Sequence, residues 1–247
     1  MAKNVIILTS GLTGSSVLAG LLSRAGYWMG DQTHKKPEYE TFENQELIDL
    51  NLRLFKEAGY TGNYLLEFSP ATMAQIASLR HEEKTDPYRA FVNKCNQHTP
   101  WLWKDPRLWL TIRFWQNLLD LQDCTFILLT RSLLQSWISG TLRRQIKSYG
   151  NSKNYEKSIQ GSIIDFFKEN KLSYLHVRYE DLILDPSHTI QELNAHLETR
   201  LTVADLEKVY RKRLYTNPRS SMRDHVKAVL IYLKNYSQRV DAASRSK

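Results

Sequence analysis

Cysteine is scarce. The 247 residues contain two, Cys95 and Cys124, too few for a disulfide framework, and the expectation is a reducing, cytoplasmic compartment. Long apolar runs are absent as well. Stretches such as Val5–Leu8 and Phe126–Leu129 fall far short of the roughly 20 residues a membrane helix needs, so no transmembrane segment is expected. Thr9, Ser10 and Gly11 interrupt the first apolar run at once, which argues against a secretory leader. Ten glycines and seven prolines beside 42% hydrophobic residues exclude collagen-like repeats and intrinsic disorder. His81-Glu82-Glu83 lacks zinc-motif spacing and no His/Cys cluster stands elsewhere, so no metal is expected. No internal repeat is visible.

Positive charge is plentiful: 34 Lys and Arg stand against 26 Asp and Glu, a formal net of +8. Such a surplus favours an anionic partner, either nucleic acid or a small phosphorylated ligand. A nucleic-acid binder spreads its cations in a stripe with aromatics between them, whereas a nucleotide site gathers a few beside glycine-bearing turns. The length fits one domain with a sizeable core, expected over residues 1–247 with a frayed polar tail from about 237.

The pattern along the chain is α/β. Asn4–Leu8 is an all-apolar run with the character of a buried parallel strand. A polar, glycine-bearing turn follows, and Val17, Leu18, Leu21, Leu22 and Ala25 recur at helical spacing up to Gly26. Residues 31–42 are polar with Pro37, and are expected to be a loop; a helix follows from about Glu43, with Leu47, Leu50, Leu54 and Phe55 on one face. Arg80–Tyr88 is charged and carries Pro87, marking a surface connection. Pro106 breaks any regular element before a helix over Leu108–Leu121. Further strands are expected at Thr125–Thr130 and Ser173–Val177, with helices from beyond Arg131 to about Tyr149 and over Ile190–Leu197. Strands alternating with helices imply a central parallel sheet covered on both faces.

In such a sheet ligands bind at the carboxyl ends of strands, often at the first strand-to-helix turn. Thr9–Ser16 sits there. Gly11 and Gly14 permit a tight turn and close backbone approach, the helix N-terminus beyond them offers amides and partial positive charge, and Thr13, Ser15 and Ser16 add hydroxyls. An ordinary turn capped by Thr13 or Ser15 is the plainer reading. A Walker A loop is not formed, because Thr9 and Ser15 stand where its first glycine and its lysine belong. Arg131 follows the strand ending at Thr130, and Ser139 lies eight residues further on. A guanidinium with a serine hydroxyl makes a second anion anchor, with Arg143 and Arg144 able to add potential. Two anchors suggest a ligand with two separated phosphate groups.

Taken together, these residues resemble the sulfotransferases that use 3′-phosphoadenosine 5′-phosphosulfate (PAPS). Val5–Leu22 is similar to the family's 5′-phosphosulfate loop, and Arg131 with Ser139 to its 3′-phosphate pair. Trp103-Lys104-Asp105-Pro106-Arg107 resembles a W-x-K-D-P-R segment of bacterial members, here without the intervening residue. Val177-Arg178-Tyr179-Glu180-Asp181-Leu182 and Asp185-Pro186 resemble the V-R-Y-E-D-L…D-P segment, and Gly30-Asp31 through Phe42-Glu43 and Asn51 fit the bacterial subgroup. The likeness spans residues 4 to about 200. It implies a nucleoside-triphosphate-hydrolase-like architecture and transfer of a sulfuryl group from PAPS to a hydroxyl or amine of a small-molecule, lipid or glycan acceptor, without a metal and without a nucleic-acid partner.

By that resemblance Gly11, Leu12, Thr13, Gly14, Ser15, Ser16, Arg131 and Ser139 bind the donor. Glu43 is the first choice for the base, with Glu40, Asp31 and His34 as rivals, and a dipole-stabilised helix-start carboxylate as its plain reading. Lys104 is expected on the sulfate, Asp105 to cap the next turn, and Tyr179-Glu180-Asp181 to be structural. Trp101, Trp103, Trp109 and Trp115 are expected mostly in the core, with one available to adenine. Lys208, Arg211, Lys212 and Arg213 read as a solvated face, while Arg219, Arg223 or Lys227 could serve the 3′-phosphate. One position departs from the family: Leu12 stands where it places Arg or Lys. Either Lys104 or another cation substitutes, or the chain is a weakened nucleotide-binding or scaffold protein. RNA binding is the rival from a different class.

Overall fold

Asn4–Leu8 forms β1, buried along its whole length, as a strand without a polar side must be. The computed structural model describes residues 3–37, 39–79, 86–209 and 222–239. After β1 come α1 (Ser15–Ser23), β2 (Thr33–Lys36), β3 (Tyr39–Asn44), α2 (Gln45–Glu57), α3 (Pro70–Ser78), α4 (Pro87–Asn96), β4 (Leu102–Lys104), α5 (Leu108–Trp115), β5 (Cys124–Thr130), α6 (Leu133–Leu142), α7 (Tyr149–Glu169), β6 (Tyr174–Arg178), α8 (Tyr179–Leu184), α9 (Pro186–Leu197), α10 (Val203–Val209) and α11 (Met222–Lys234).

Four strands make one parallel sheet in the order β4-β1-β5-β6, with Ile6 opposite both Trp103 and Phe126, and Leu128 opposite His176. Alternation along the strands divides the core. Ile6, Leu8, Phe126 and Leu128 face an aromatic cluster that includes Trp103, Trp115, Phe91 and Phe166. Val5, Ile7, Ile127 and Leu129 face the cluster under α1, α8 and α9. Successive side chains point to opposite faces, so one apolar run serves both layers.

Several expectations need correction. Residues 31–42 are not a loop: β2 and β3 pair antiparallel, Lys36 opposite Tyr39, around the Pro37 turn. This hairpin lies outside the main sheet and is mostly half-exposed, so its polar strands carry no core-facing alternation. Glu43 therefore belongs to β3, and α2 begins after Asn44, whose side chain accepts from the Glu46 and Leu47 amides. Pro87 is the first residue of α4, behind the Asp86 cap, and residues 80–85 of the expected connection lie outside the described residues. The helix from Leu108 ends at Trp115, and 121–123 make a separate 3-10 turn. The helix after Arg131 stops at Leu142; Arg143–Ser148 break it, with Arg144 at φ 64, before the 21-residue α7. Ser237 and Gln238 lie in a 3-10 turn, and the rest of the expected tail from 240 lies outside the described residues. Among the described residues no helix is long and apolar enough to cross a membrane, and Cys95 and Cys124 are both free and buried.

Candidate functional site

The loop after β1 gains its shape from left-handed backbone at Gly11 (φ 84), Leu12 (φ 55) and Gly14 (φ 79). Gly14 precedes α1, and no side chain caps that helix, so the turn capped by Thr13 or Ser15 is not formed. A Cβ on Gly14 would stand 2.2 Å from the Tyr179 ring; glycine is required there by both conformation and space. Thr9 and Thr13 hydroxyls bond to each other beneath the loop, and the Gly11 amide donates to Thr9 Oγ1 at 3.4 Å.

Arg131 projects from the carboxyl end of β5, the strand beside β1. Its Nη1 donates to Ser139 Oγ and to the Leu12 carbonyl, both at 3.3 Å, and its guanidinium carbon lies 4.9 Å from the Tyr179 ring centroid. The two expected anion anchors are thus neighbours on one sheet edge, with one aromatic ring packed against both. Glu180 Oε1 accepts from the Ser132 amide at 3.0 Å, which ties the start of α8 to the start of α6. Arg143 Nη1 donates to the Ser139 carbonyl at 3.1 Å.

Lys104 ends β4 and is buried. Its Nζ donates to Glu43 Oε1 at 2.5 Å, to the Thr41 carbonyl at 3.1 Å and to Ser16 Oγ at 3.2 Å. Lys104, Glu43 and the start of α1 therefore meet across long stretches of chain. Asp105, the next residue, is buried and receives Asn51 Nδ2, the Arg107 amide and Arg107 Nη1, each at 2.9 Å, while Trp115 Nε1 donates to Asn51 Oδ1 at 2.9 Å. Burial pushes the Asp105 carboxyl upward, opposed by Arg107. This network fixes the turn that presents Lys104. Glu40, on β3, faces Lys35 at 3.6 Å; Asp31 pairs with Lys94 at 2.8 Å; His34 contacts Gln45 at 3.2 Å.

A cleft opens beside the loop. It is lined by Ser10, Gly11 and Leu12 on one side and by α6, the 145–147 break and α7 on the other, with Lys147, Tyr155 and Glu156 in its wall. Lys147 Nζ donates to the Leu65 carbonyl at 2.8 Å and sits 3.5 Å from the Tyr155 ring centroid; burial lowers it to about 8. Burial raises Glu156 to about 7, against the opposing pull of Ser136, Lys147 and Arg131. Sequence reading missed both residues, because a lone lysine in a helix break and a lone glutamate inside a helix carry no motif. The helix interruption that presents Lys147 carries no proline or glycine to mark it in the sequence either.

Of the remaining candidates, Trp101, Trp103, Trp109 and Trp115 are all fully buried, which leaves none of the four exposed for stacking. Arg223 and Lys227 lie on α11, which packs against α6; Arg211, Lys212, Arg213 and Arg219 lie outside the described residues, and Lys208 approaches Asp205 at 3.8 Å. Among the described residues no group of three His, Cys, Asp or Glu is arranged to hold a metal.

No protein-family model matches the chain, and no curated protein matches it in sequence. Solved structures do match in shape. A sulfotransferase domain from the curacin biosynthetic pathway superposes with a TM-score of 0.51 at 16% identity, covering 91% of this chain and 82% of its own. A sulfotransferase domain from the Synechococcus PCC 7002 olefin synthase gives 0.52 at 19% identity, covering 93% and 94%. The fold is that of the sulfotransferases: a central parallel sheet with helices on both faces.

Proposed function

We propose that this chain transfers a sulfuryl group from PAPS to a hydroxyl or amine of a small acceptor, in a reducing cytoplasmic setting. The observation that carries the reading is the Arg131–Leu12 contact, which puts a guanidinium and a glycine-bearing helix start side by side at the ends of adjacent strands. An uncapped helix N-terminus suits one anion and a guanidinium with a serine hydroxyl suits another, so the residues present fit a nucleotide with two anionic ends. PAPS supplies an activated sulfuryl group on a phosphate leaving group.

The chain's part is to position reactants and stabilise charge. Gly11–Ser16 would hold the phosphosulfate end, and Arg131 with Ser139 the 3′-phosphate. Lys104, buried and fixed by Glu43 and Thr41, would supply positive charge beside Ser16, in the region where the family's loop cation acts; Leu12 supplies none. Calorimetry with 3′-phosphoadenosine 5′-phosphate tests the reading: saturable binding is expected, weakened about 10- to 100-fold in Arg131→Ala, as loss of charge-assisted hydrogen bonds implies. Unchanged affinity in the variant removes Arg131 from the site.

Leu12 favours a second reading, a nucleotide-binding protein of the same fold with little turnover. A labelled-donor assay on Leu12→Arg separates the two: a gain in transfer marks a weakened enzyme, and continued silence alongside intact nucleotide binding marks a scaffold.

A further inference from the structure

The cleft beside the loop contains two buried ionisable side chains that the donor site does not use. Lys147 and Glu156 are 6% and 8% exposed, yet both line the cavity that reaches Ser10, Gly11 and Leu12. They form no direct ion pair with each other among the described residues. Lys147 is anchored instead on the Leu65 carbonyl and the Tyr155 ring, and Trp137 Nε1 holds its backbone carbonyl at 2.9 Å. Glu43, in contrast, accepts from Lys104 Nζ at 2.5 Å through its Oε1 and does not line this cleft. Isolated charges are costly to bury, and a carboxylate kept in a cleft without a salt bridge is suited to accepting a proton.

Resting on the donor reading above, we propose that this cleft receives the acceptor, a small apolar molecule bearing a hydroxyl, and that the Glu156 carboxylate is the catalytic base that takes the hydroxyl proton. Leu12, Leu65, Trp137 and Tyr155 supply the apolar walls, and Ser10, Gly11 and Leu12 of the loop after β1 close the far side. In this step the acceptor O–H bond breaks as its proton passes to a Glu156 oxygen, and the acceptor oxygen bonds to sulfur. The bond from sulfur to the nucleotide's phosphate oxygen breaks, its electron pair leaving with 3′-phosphoadenosine 5′-phosphate; Glu156 then returns the proton to water. The upward shift of Glu156 toward neutrality supports the role, since a base works best when its affinity for protons matches the working pH. The charged groups that act on it are Lys147, Arg131 and Glu180. Glu43 becomes a positioning residue for Lys104.

The experiment compares two acceptors in mildly alkaline buffer: phenol, which holds its proton, and 4-nitrophenol, a far stronger acid that has largely given its proton up. Glu156→Gln is expected to lower kcat for phenol roughly 10²–10⁴-fold, the usual contribution of a general base, and for 4-nitrophenol less than about tenfold, while nucleotide affinity stays unchanged. Glu156→Asp, which keeps the charge one methylene back, is expected to fall between and to retain the acidic limb of the pH–rate profile that Glu156→Gln loses. Equal losses for the two phenols, or a retained acidic limb in Glu156→Gln, overturn Glu156 as the base. Nucleotide binding with no transfer to either phenol overturns the acceptor class, and absent nucleotide binding instead brings down the donor reading on which this one rests.

Discussion

Tyr179 packs one aromatic ring against both Arg131 and Gly14: the guanidinium carbon lies 4.9 Å from its centroid, and a Cβ on Gly14 would strike the same ring. A residue expected only to hold a strand end thus sits at the junction of both proposed anion anchors. Replacing it with Leu keeps a buried apolar side chain but removes the π face, an attraction of about 0.5–2 kcal/mol. Tyr179→Leu is expected to weaken binding of 3′-phosphoadenosine 5′-phosphate about 3- to 30-fold by calorimetry. Unaltered affinity would remove the ring from any role in placing Arg131.

Gly14→Ala tests the loop. The new side chain would occupy a left-handed conformation, costing roughly 1–2 kcal/mol, and would press into Tyr179. A fall in Tm of at least about 4 °C is expected for a chain of this size, together with loss of nucleotide binding. The same exchange at Gly150, where a Cβ meets nothing and the backbone is helical, should keep nucleotide binding and hold or slightly raise Tm.

The Lys104–Glu43 pair is asymmetric. Lys104 is 2% exposed and Glu43 12% at the side chain. Removing the carboxylate strands an ammonium that has only Thr41 and Ser16 left, whereas removing the ammonium leaves a carboxylate nearer to water. Breaking a buried pair from one side costs roughly 3–5 kcal/mol. Glu43→Leu is therefore expected to be more destabilising than Lys104→Met in chemical denaturation, and the double variant milder than the sum. Strict additivity would mean the pair is not coupled.

Stability should also carry a signature of Glu156. Its carboxyl is raised from 4.5 to about 7, so the folded chain binds this proton more tightly than the unfolded one. The contribution is fully favourable below 4.5 and is lost as pH rises to about 7, a change of about 3 kcal/mol. Lys147, lowered from 10.5 to about 8, acts in the opposite direction and only at higher pH, its penalty fading between 8 and 10.5. Denaturation midpoints measured from pH 4.5 to 7 should flatten in Glu156→Gln relative to the parent chain. An identical slope in both would show that this carboxyl does not titrate in that window.

Much of the fold could be read from apolar runs. Val5–Leu8 and Phe126–Leu129 are buried on both faces, so their composition alone marks them as central strands. β4 escaped because three residues between Pro100 and Pro106 are too few to show a period, and the β2–β3 hairpin because its strands are largely polar and half-exposed, with Phe42 packed against the cluster under α1 but no alternating apolar run around it. The helix break at 143–148 was hidden because no proline or glycine marks it, the left-handed residue being Arg144. Candidate site residues on strand ends and tight turns, such as Gly14 and Arg131, carried signals that local chemistry explains. Lys147 and Glu156 did not, since what joins them to Ser10 is the packing of distant segments, which no local window records.

The strands of the main sheet all run the same way, and this sets where the chain can be handled. Asn4 lies at the rim opposite Leu8, and the four steps of extended backbone between them put about 13 Å between the two. A bead, a fluorophore or a fused carrier joined ahead of Asn4 would hang from the rim opposite the loop after β1, so an immobilised preparation should keep the nucleotide affinity proposed for the free one.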